Sequence, residues 1–164
     1  FYVQYNRYLS FYTQDDGTVS AITQEDKAII EYLNTERTGS FILSDPYTQL
    51  IISALTNTNT VQAQYMSLKT RENLLEYMKN PTPQTYENLI SSEGIPRNDN
   101  FDVLYTSRIY RAVNNNDNSW MYNIYSLSIN NREKIEKPSQ QLIDELERVG
   151  RYPIYISDNF ILFR

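Results

Sequence analysis

The segment FILSDPYTQLIISAL, residues 41–55, contains the local signals that decide the fold class. Residues 41–43 are all apolar, which is typical of a short strand buried on both faces. Asp45 is a favourable helix N-cap, and Pro46 suits the first helical position, where no N–H donor is needed. Apolar residues then recur at helical spacing, which predicts a helix whose core-facing positions are Tyr47, Leu50, Ile51, Ala54 and Leu55. A strand that leads directly into a helix indicates an α/β fold.

The rest of the chain continues this alternation of helices and strands. A helix is predicted over residues 24–36, and Ser139 is the predicted N-cap of the last helix. Strands are predicted near residues 41–44, 61–65 and 101–105, with a hairpin at 152–163. We therefore predict one α/β domain over residues 21–164, built as a three-layer sandwich with a mainly parallel central sheet and a C-terminal antiparallel hairpin. The positions predicted to be buried are Ile42, Leu43, Leu50, Ile51, Ala54, Val103, Leu146 and Ile154.

Residues 1–20 differ in composition from this domain. Six aromatic residues fall within the first twelve positions, at spacings that fit neither a strand nor a helix. Two interpretations are open: an arm that packs on the domain, or a juxtamembrane segment, because Tyr favours the membrane interface. The chain begins with Phe1 rather than Met, so we expect further sequence upstream in the full protein.

Composition excludes several classes of function. The chain has 164 residues, 15 Lys and Arg, 20 Asp and Glu, and no His or Cys, which gives a net charge of −5. Without His or Cys it has no Ser-His-Asp triad, thiol nucleophile or thiolate metal site. An acidic chain is a poor nucleic-acid binder, so we expect no nucleic-acid partner. We also expect no cofactor and no metal, since the Asn-rich loop at residues 114–119 lacks the Gly and Glu of a calcium loop.

Four residues at the predicted strand-to-helix junction form the first candidate site: Ser44, Asp45, Tyr47 and Thr48. Ligands of open α/β sheets bind at the carboxyl ends of strands, and helix N-termini attract anions. The competing interpretation is that Asp45 only caps the helix, and a capping carboxylate would itself discourage a phosphate.

Trp120 and Tyr122, beside the Asn-rich loop, form the second candidate site. Exposed aromatic rings with nearby amides can hold a sugar by stacking and hydrogen bonding. Aromatic residues near helical spacing also serve as core residues, so both interpretations stand.

Three segments together resemble a known class of domain: ITQED at 22–26, FILSDPYT at 41–48 followed by IISALT at 51–56, and YPIYISDNFILF at 152–163. This order is similar to soluble C-terminal domains of polytopic archaeal and bacterial membrane proteins of the lipid-linked-sugar glycosyltransferase type, or their uncharacterised relatives. Asn57 stands where those domains usually have Gly. The resemblance covers about residues 20–164.

The resemblance mainly implies where the domain is located in the cell. The domain would lie on the extracytoplasmic face of the cell membrane, attached to a transmembrane part of the same polypeptide. In such enzymes the catalytic carboxylates lie in the membrane part, so no catalytic residue is assigned here. We expect a non-catalytic domain that helps to recognise a glycan, an acceptor or a lipid-linked sugar, or that packs on the membrane part. The alternative is a stand-alone α/β enzyme or small-ligand binder that uses the strand-end loops.

Overall fold

A computed structural model of the chain describes residues 24–61, 66–97, 100–106, 109 and 139–164. The elements within these residues are α1 (Gln24–Glu36), β1 (Phe41–Leu43), α2 (Pro46–Leu55), α3 (Leu68–Lys79), α4 (Pro83–Ile90), β2 (Phe101–Thr106), α5 (Gln140–Arg148), β3 (Pro153–Ile156) and β4 (Phe160–Phe163). The predicted arm at residues 1–20 lies outside them. Among the described helices, none is both long and apolar enough to cross a bilayer.

The four described strands form one open sheet in the order β1-β2-β4-β3. β1 pairs with β2 in parallel, with Phe41 opposite Phe101. β4 is antiparallel to both β2 and β3. The α/β class and the C-terminal hairpin are therefore confirmed, but the described sheet is mixed rather than mainly parallel. The reason is that the hairpin inserts β4 directly beside β2, so two of the three strand pairs are antiparallel.

The predicted strand at 61–65 falls mostly outside the described residues, yet pairing at the outer edge of β1 begins just before it. Asn59 forms an isolated parallel bridge with Phe41, and its carbonyl accepts the N–H of Ile42 at 2.8 Å. The Thr60 hydroxyl donates to the carbonyl of Ile42 at 2.7 Å. The backbone groups on this edge of β1 are thereby satisfied.

Apolar side chains form two clusters, one on each face of the sheet, and successive residues of a strand contribute to them in turn. One cluster contains Leu43, Val103, Tyr105 and Phe163 together with residues of α3, α4 and α5. The other contains Ile42, Leu104, Phe160 and Leu162 together with Ile29 and Leu33 of α1 and Ile52 of α2. Successive strand residues point to opposite faces, so both faces of the sheet are covered.

The predicted core-facing side of α2 is wrong. Leu50 and Ile51 are only half-buried and Ala54 is exposed, whereas Thr48, Gln49 and Ile52 are buried. The helix therefore turns a partly polar stripe inward. Ile154 of β3 is likewise only half-buried, while Ile42, Leu43, Val103 and Leu146 are buried as predicted.

β3 is short and irregular. Its register against β4 shifts between Pro153 and Tyr155, and Pro153 supplies no backbone N–H. Ile156 at its end is largely exposed, as is Tyr152 just before its start.

Local sequence signals explain where the last helix begins and ends. The Ser139 hydroxyl accepts the N–H of Leu142 at 3.2 Å, which confirms the predicted N-cap of α5. Gly150 follows the helix with a φ of +84°, a left-handed conformation that glycine adopts without strain. The turn that follows leads directly into β3.

Candidate functional site

The first predicted site lies at the sheet edge where β1 and β2 end. Ser44 follows β1 directly, and its hydroxyl donates to the carbonyl of Leu104 at 2.8 Å. Thr106 ends β2 and pairs with Phe160 at the start of β4. We call this the carboxyl edge. It holds Ser44, Asp45, Thr48 and Thr106, all of them buried.

The Asp45 carboxylate is the centre of the carboxyl edge. Its Oδ1 accepts the backbone N–H of Thr48 at 3.0 Å, which is the predicted N-cap bond of α2. Its Oδ2 accepts the hydroxyls of Thr48 at 2.6 Å and Thr106 at 2.8 Å. Asp45 has no exposed surface. The carboxylate therefore ties the start of α2 to the end of β2.

Gln49, one residue beyond Thr48, was not predicted as part of any site. Its side chain is fully buried, and neither its amide nitrogen nor its amide oxygen has a hydrogen-bond partner among the described residues. A buried amide without partners is costly, so such groups are rare in folded proteins. The pattern of apolar residues gave no reason to place Gln49 inside.

The side chains of the other predicted site residues lie outside what the structure describes. Tyr47 lies in the first turn of α2, and its side chain is outside the described set. Trp120 and Tyr122 also lie outside the described residues, so the proposed aromatic platform remains a prediction.

A second site, absent from the sequence predictions, lies at the opposite edge, where β1 and β2 begin and β4 ends. We call it the amino edge. It contains a cavity of about 600 Å³. The cavity is lined by Arg37, Thr38, Gly39, Ser40, Phe41, Asn59, Pro96, Asn100, Phe101, Asp102 and Arg164.

An ion pair forms one wall of this cavity. The Arg37 Nη2 and Nε atoms lie 2.6 Å and 2.8 Å from the same oxygen, Oδ2 of Asp102. Asp102 is 2 % exposed, and burial raises the pKa of its carboxyl above the ordinary value of 3.8. The charges of Arg37, Arg164 and Arg151 act in the opposite direction and lower that pKa. Burial is the largest of these effects, and it raises the pKa because removing a carboxylate from water disfavours its charged form.

Two further arginines surround Asp102 in different ways. Arg151 is buried, and its Nη1 donates to the carbonyl of Phe101 at 2.6 Å while its guanidinium lies 4.4 Å from the centre of the Phe101 ring. Arg164 is exposed, and its side chain forms no hydrogen bond with any described residue. Arg151 therefore stabilises the fold, whereas the guanidinium of Arg164 lines the cavity without a hydrogen bond to any described residue.

Neither edge has a recognisable metal centre in the described part of the chain. No group of three or more Asp and Glu side chains gathers there in a position to hold an ion. Comparisons of the chain with protein-family models, with curated proteins and with solved structures found no match.

Proposed function

We propose that this chain is a non-catalytic, ligand-binding domain that helps a membrane-anchored glycosyltransferase-like protein to recognise a glycan or acceptor outside the cytoplasm. The observation that carries the proposal is the open, polar cavity at the amino edge. At the carboxyl edge, by contrast, Asp45 is fully buried and holds α2 to β2.

The cavity has the size and chemistry that a small saccharide needs. Its volume of about 600 Å³ falls within the range of roughly 300–1,000 Å³ found for small-molecule sites. Ser40, Asn59 and Asn100 contribute hydroxyl and amide groups, which can both donate to and accept from sugar hydroxyls. The half-buried Phe41 adds apolar surface against which a sugar ring can pack.

The finer architecture that we propose is a three-layer sandwich with a helical layer on each face of the sheet. Its support is the two apolar clusters: α3, α4 and α5 contribute to one, and α1 and α2 contribute to the other. We propose a location at the membrane because residues 20–164 resemble C-terminal domains of glycosyltransferase-type membrane proteins. A transmembrane part of the same polypeptide would then be the main partner.

One observation favours the alternative, a ligand or substrate site at the carboxyl edge. Gln49 keeps both amide atoms buried without partners among the described residues. A ligand that entered beside α2 could satisfy them, as expected of a stand-alone α/β binder or enzyme. This alternative predicts that Gln49 contributes to binding and that the cavity at the amino edge does not.

Calorimetric titration with a panel of neutral and acidic mono- and disaccharides tests the proposal. We expect Asn100→Trp, which fills the amino-edge cavity from an exposed position, to abolish binding of any sugar that the wild type takes. Glu147→Trp, at an exposed site of α5 outside the cavity lining, is the matched control and should bind normally.

Gln49→Leu separates the two candidate functions. It replaces a buried amide that has no hydrogen-bond partner among the described residues with an apolar side chain of similar size, so the fold should tolerate it. Unchanged binding by Gln49→Leu supports the amino-edge site. Loss of binding in Gln49→Leu, with Asn100→Trp unaffected, would favour the carboxyl edge, and a wild type that binds no saccharide would refute the glycan-recognition role.

A further inference from the structure

The described residues that line the amino-edge cavity carry an excess of positive charge, in a chain whose net charge is −5. Three guanidinium groups, those of Arg37, Arg151 and Arg164, act on a single carboxylate side chain, Asp102. Of the three, Arg37 and Arg164 line the cavity. The described side chains that line the cavity therefore carry two positive charges against one negative charge.

The hydrogen-bonding capacity of these arginines is only partly used. Arg37 directs its Nε and Nη2 atoms to one oxygen of Asp102, and its Nη1 atom donates to no described residue. Arg164 has five N–H donors, none of them bonded to a described residue. Donors arranged in a planar fork match the oxygen atoms of a carboxylate or a phosphate. A single neutral hydroxyl cannot accept the two parallel N–H bonds that a carboxylate or a phosphate can accept from one guanidinium.

The alternative ligand for a polar cavity, a cation, does not fit these groups. Among the described residues that line the cavity, Asp102 is the only acidic one, and it is already held by Arg37. A cation would also be repelled by the guanidinium groups of Arg37 and Arg164 at close range.

We propose that the amino-edge cavity binds the oxyanion group of an acidic saccharide, a carboxylate or a phosphate ester, with Arg164 and the free Nη1 of Arg37 as its donors. This inference rests on the proposed glycan-recognition function and specifies its ligand class. Ser40, Asn59 and Asn100 then face the hydroxyl groups of the sugar ring. Arg164 is the group that distinguishes acidic from neutral ligands.

The experiment compares four soluble probes by calorimetry: glucose, glucuronate, glucose 1-phosphate and inorganic phosphate. We expect the wild type to bind glucuronate or glucose 1-phosphate more tightly than glucose. Arg164→Gln should weaken that binding about tenfold or more, as expected on losing a charge-assisted hydrogen bond, and should reduce the preference for the acidic sugar over glucose. Arg148→Gln, an exposed arginine at the end of α5, is the matched control.

Each other outcome has a defined meaning. If glucuronate and glucose 1-phosphate both bind no more tightly than glucose, or if Arg164→Gln does not weaken binding of the acidic sugar, the oxyanion inference is overturned while the glycan-recognition function stands. Binding of inorganic phosphate alone, lost in Arg164→Gln, supports the oxyanion site and refutes the saccharide function. Absence of binding by all four soluble probes and by anionic vesicles refutes both.

A vesicle arm identifies the source of the oxyanion. Phosphatidylcholine vesicles with and without phosphatidylglycerol are compared in a sedimentation assay. Arg164-dependent binding to the anionic vesicles, but not to the soluble probes, would identify a lipid phosphate as the source. Binding of the soluble probes alone would identify a free acidic sugar.

Discussion

Asp45 and Asp102 are both buried at the ends of adjacent parallel strands, but at opposite edges of the sheet. Asp45 is 0 % exposed and Asp102 is 2 % exposed. The described partners of Asp45 are one backbone N–H and two threonine hydroxyls. The partner of Asp102 is the guanidinium of Arg37, with the charges of two more arginines nearby.

The difference shows how a buried carboxylate can either close a site or keep one open. Hydroxyl and backbone donors come from the elements being joined, so Asp45 fastens α2 to β2. The arginine side chain is long, and its guanidinium has more N–H donors than one carboxylate oxygen can accept. The Arg37–Asp102 pair therefore leaves N–H groups at the cavity wall that bond to no described residue. We expect the carboxyl edge to govern stability and the amino edge to govern recognition.

The largest effect on stability should come from Asp45→Ala. It removes the N-cap of α2 and leaves the Thr106 hydroxyl buried without its acceptor, for a combined loss of about 2–4 kcal/mol in the free energy of unfolding. Asp45→Asn keeps one oxygen acceptor and should cost less. Urea denaturation measures both.

Ser67→Ala is the matched control for Asp45→Ala. Ser67 caps α3 through the N–H of Thr70 and bonds to no described strand. Ser67→Ala should therefore lower the free energy of unfolding by only about 0.5–2 kcal/mol. Equal losses in Ser67→Ala and Asp45→Ala would show that Asp45 is a cap alone and that the bond to Thr106 adds nothing.

Arg37→Met should have the next largest effect. It keeps the aliphatic stem but leaves the buried Asp102 carboxylate without its closest cation, which should cost about 1–3 kcal/mol. The loss should be moderate because Arg151 and Arg164 still act on Asp102. The double variant Arg37→Met/Asp102→Asn should recover part of the stability in a double-mutant cycle. A double variant that is less stable than Arg37→Met would contradict this account.

The smallest effect concerns the pH dependence of Asp102. Burial raises its folded pKa above the unfolded value of 3.8, so between these two values the folded state binds more protons than the unfolded state. Stability from this group is therefore gained as the pH falls from the folded pKa toward the unfolded pKa, and is lost as the pH rises through the same interval.

Asp102→Asn lacks this titration, so thermal unfolding of the two proteins across acidic pH isolates it. Wild type should gain stability relative to Asp102→Asn as the pH falls through that interval. If wild type instead loses stability relative to the variant on acidification, Arg37 outweighs burial and the assigned direction is wrong.

The secondary-structure elements were predictable because their signals are local. Asp45-Pro46 marks the start of α2, Ser139 marks the start of α5, and the turn at residues 157–159 separates β3 from β4. The position of β4 beside β2 was not predictable in the same way, because strand pairing depends on contacts between residues far apart in sequence. The hairpin was correctly predicted, but its insertion made the sheet mixed.

The inward face of α2 could not be read from apolar spacing because apolar residues surround most of the helix. The Asp45 carboxylate resolves this ambiguity in the structure. Its Oδ2 accepts the hydroxyls of both Thr48 and Thr106, so Thr48 must face the sheet, and Ile52, one turn later, faces it as well. A polar contact therefore sets the rotation of the helix.

The amino-edge site could not be predicted because its residues are far apart in sequence. Arg37 and Asp102 are separated by 65 positions and meet only through the parallel register that places Phe41 opposite Phe101. One signal was present: Asp102 is a charged residue inside the otherwise apolar strand Phe101–Tyr105. A charge in a buried strand requires a partner, which would have prompted a search for a cation.

The irregular shape of β3 has a consequence for how the protein behaves at high concentration. β3 is the last strand of the described sheet, and a terminal strand can recruit strands from other molecules into a growing aggregate. Pro153 removes one donor from it, and the register shift that follows disturbs its regular spacing. These two features oppose backbone pairing between β3 and a strand of another molecule, although the side chains of Tyr152 and Ile156 are exposed there.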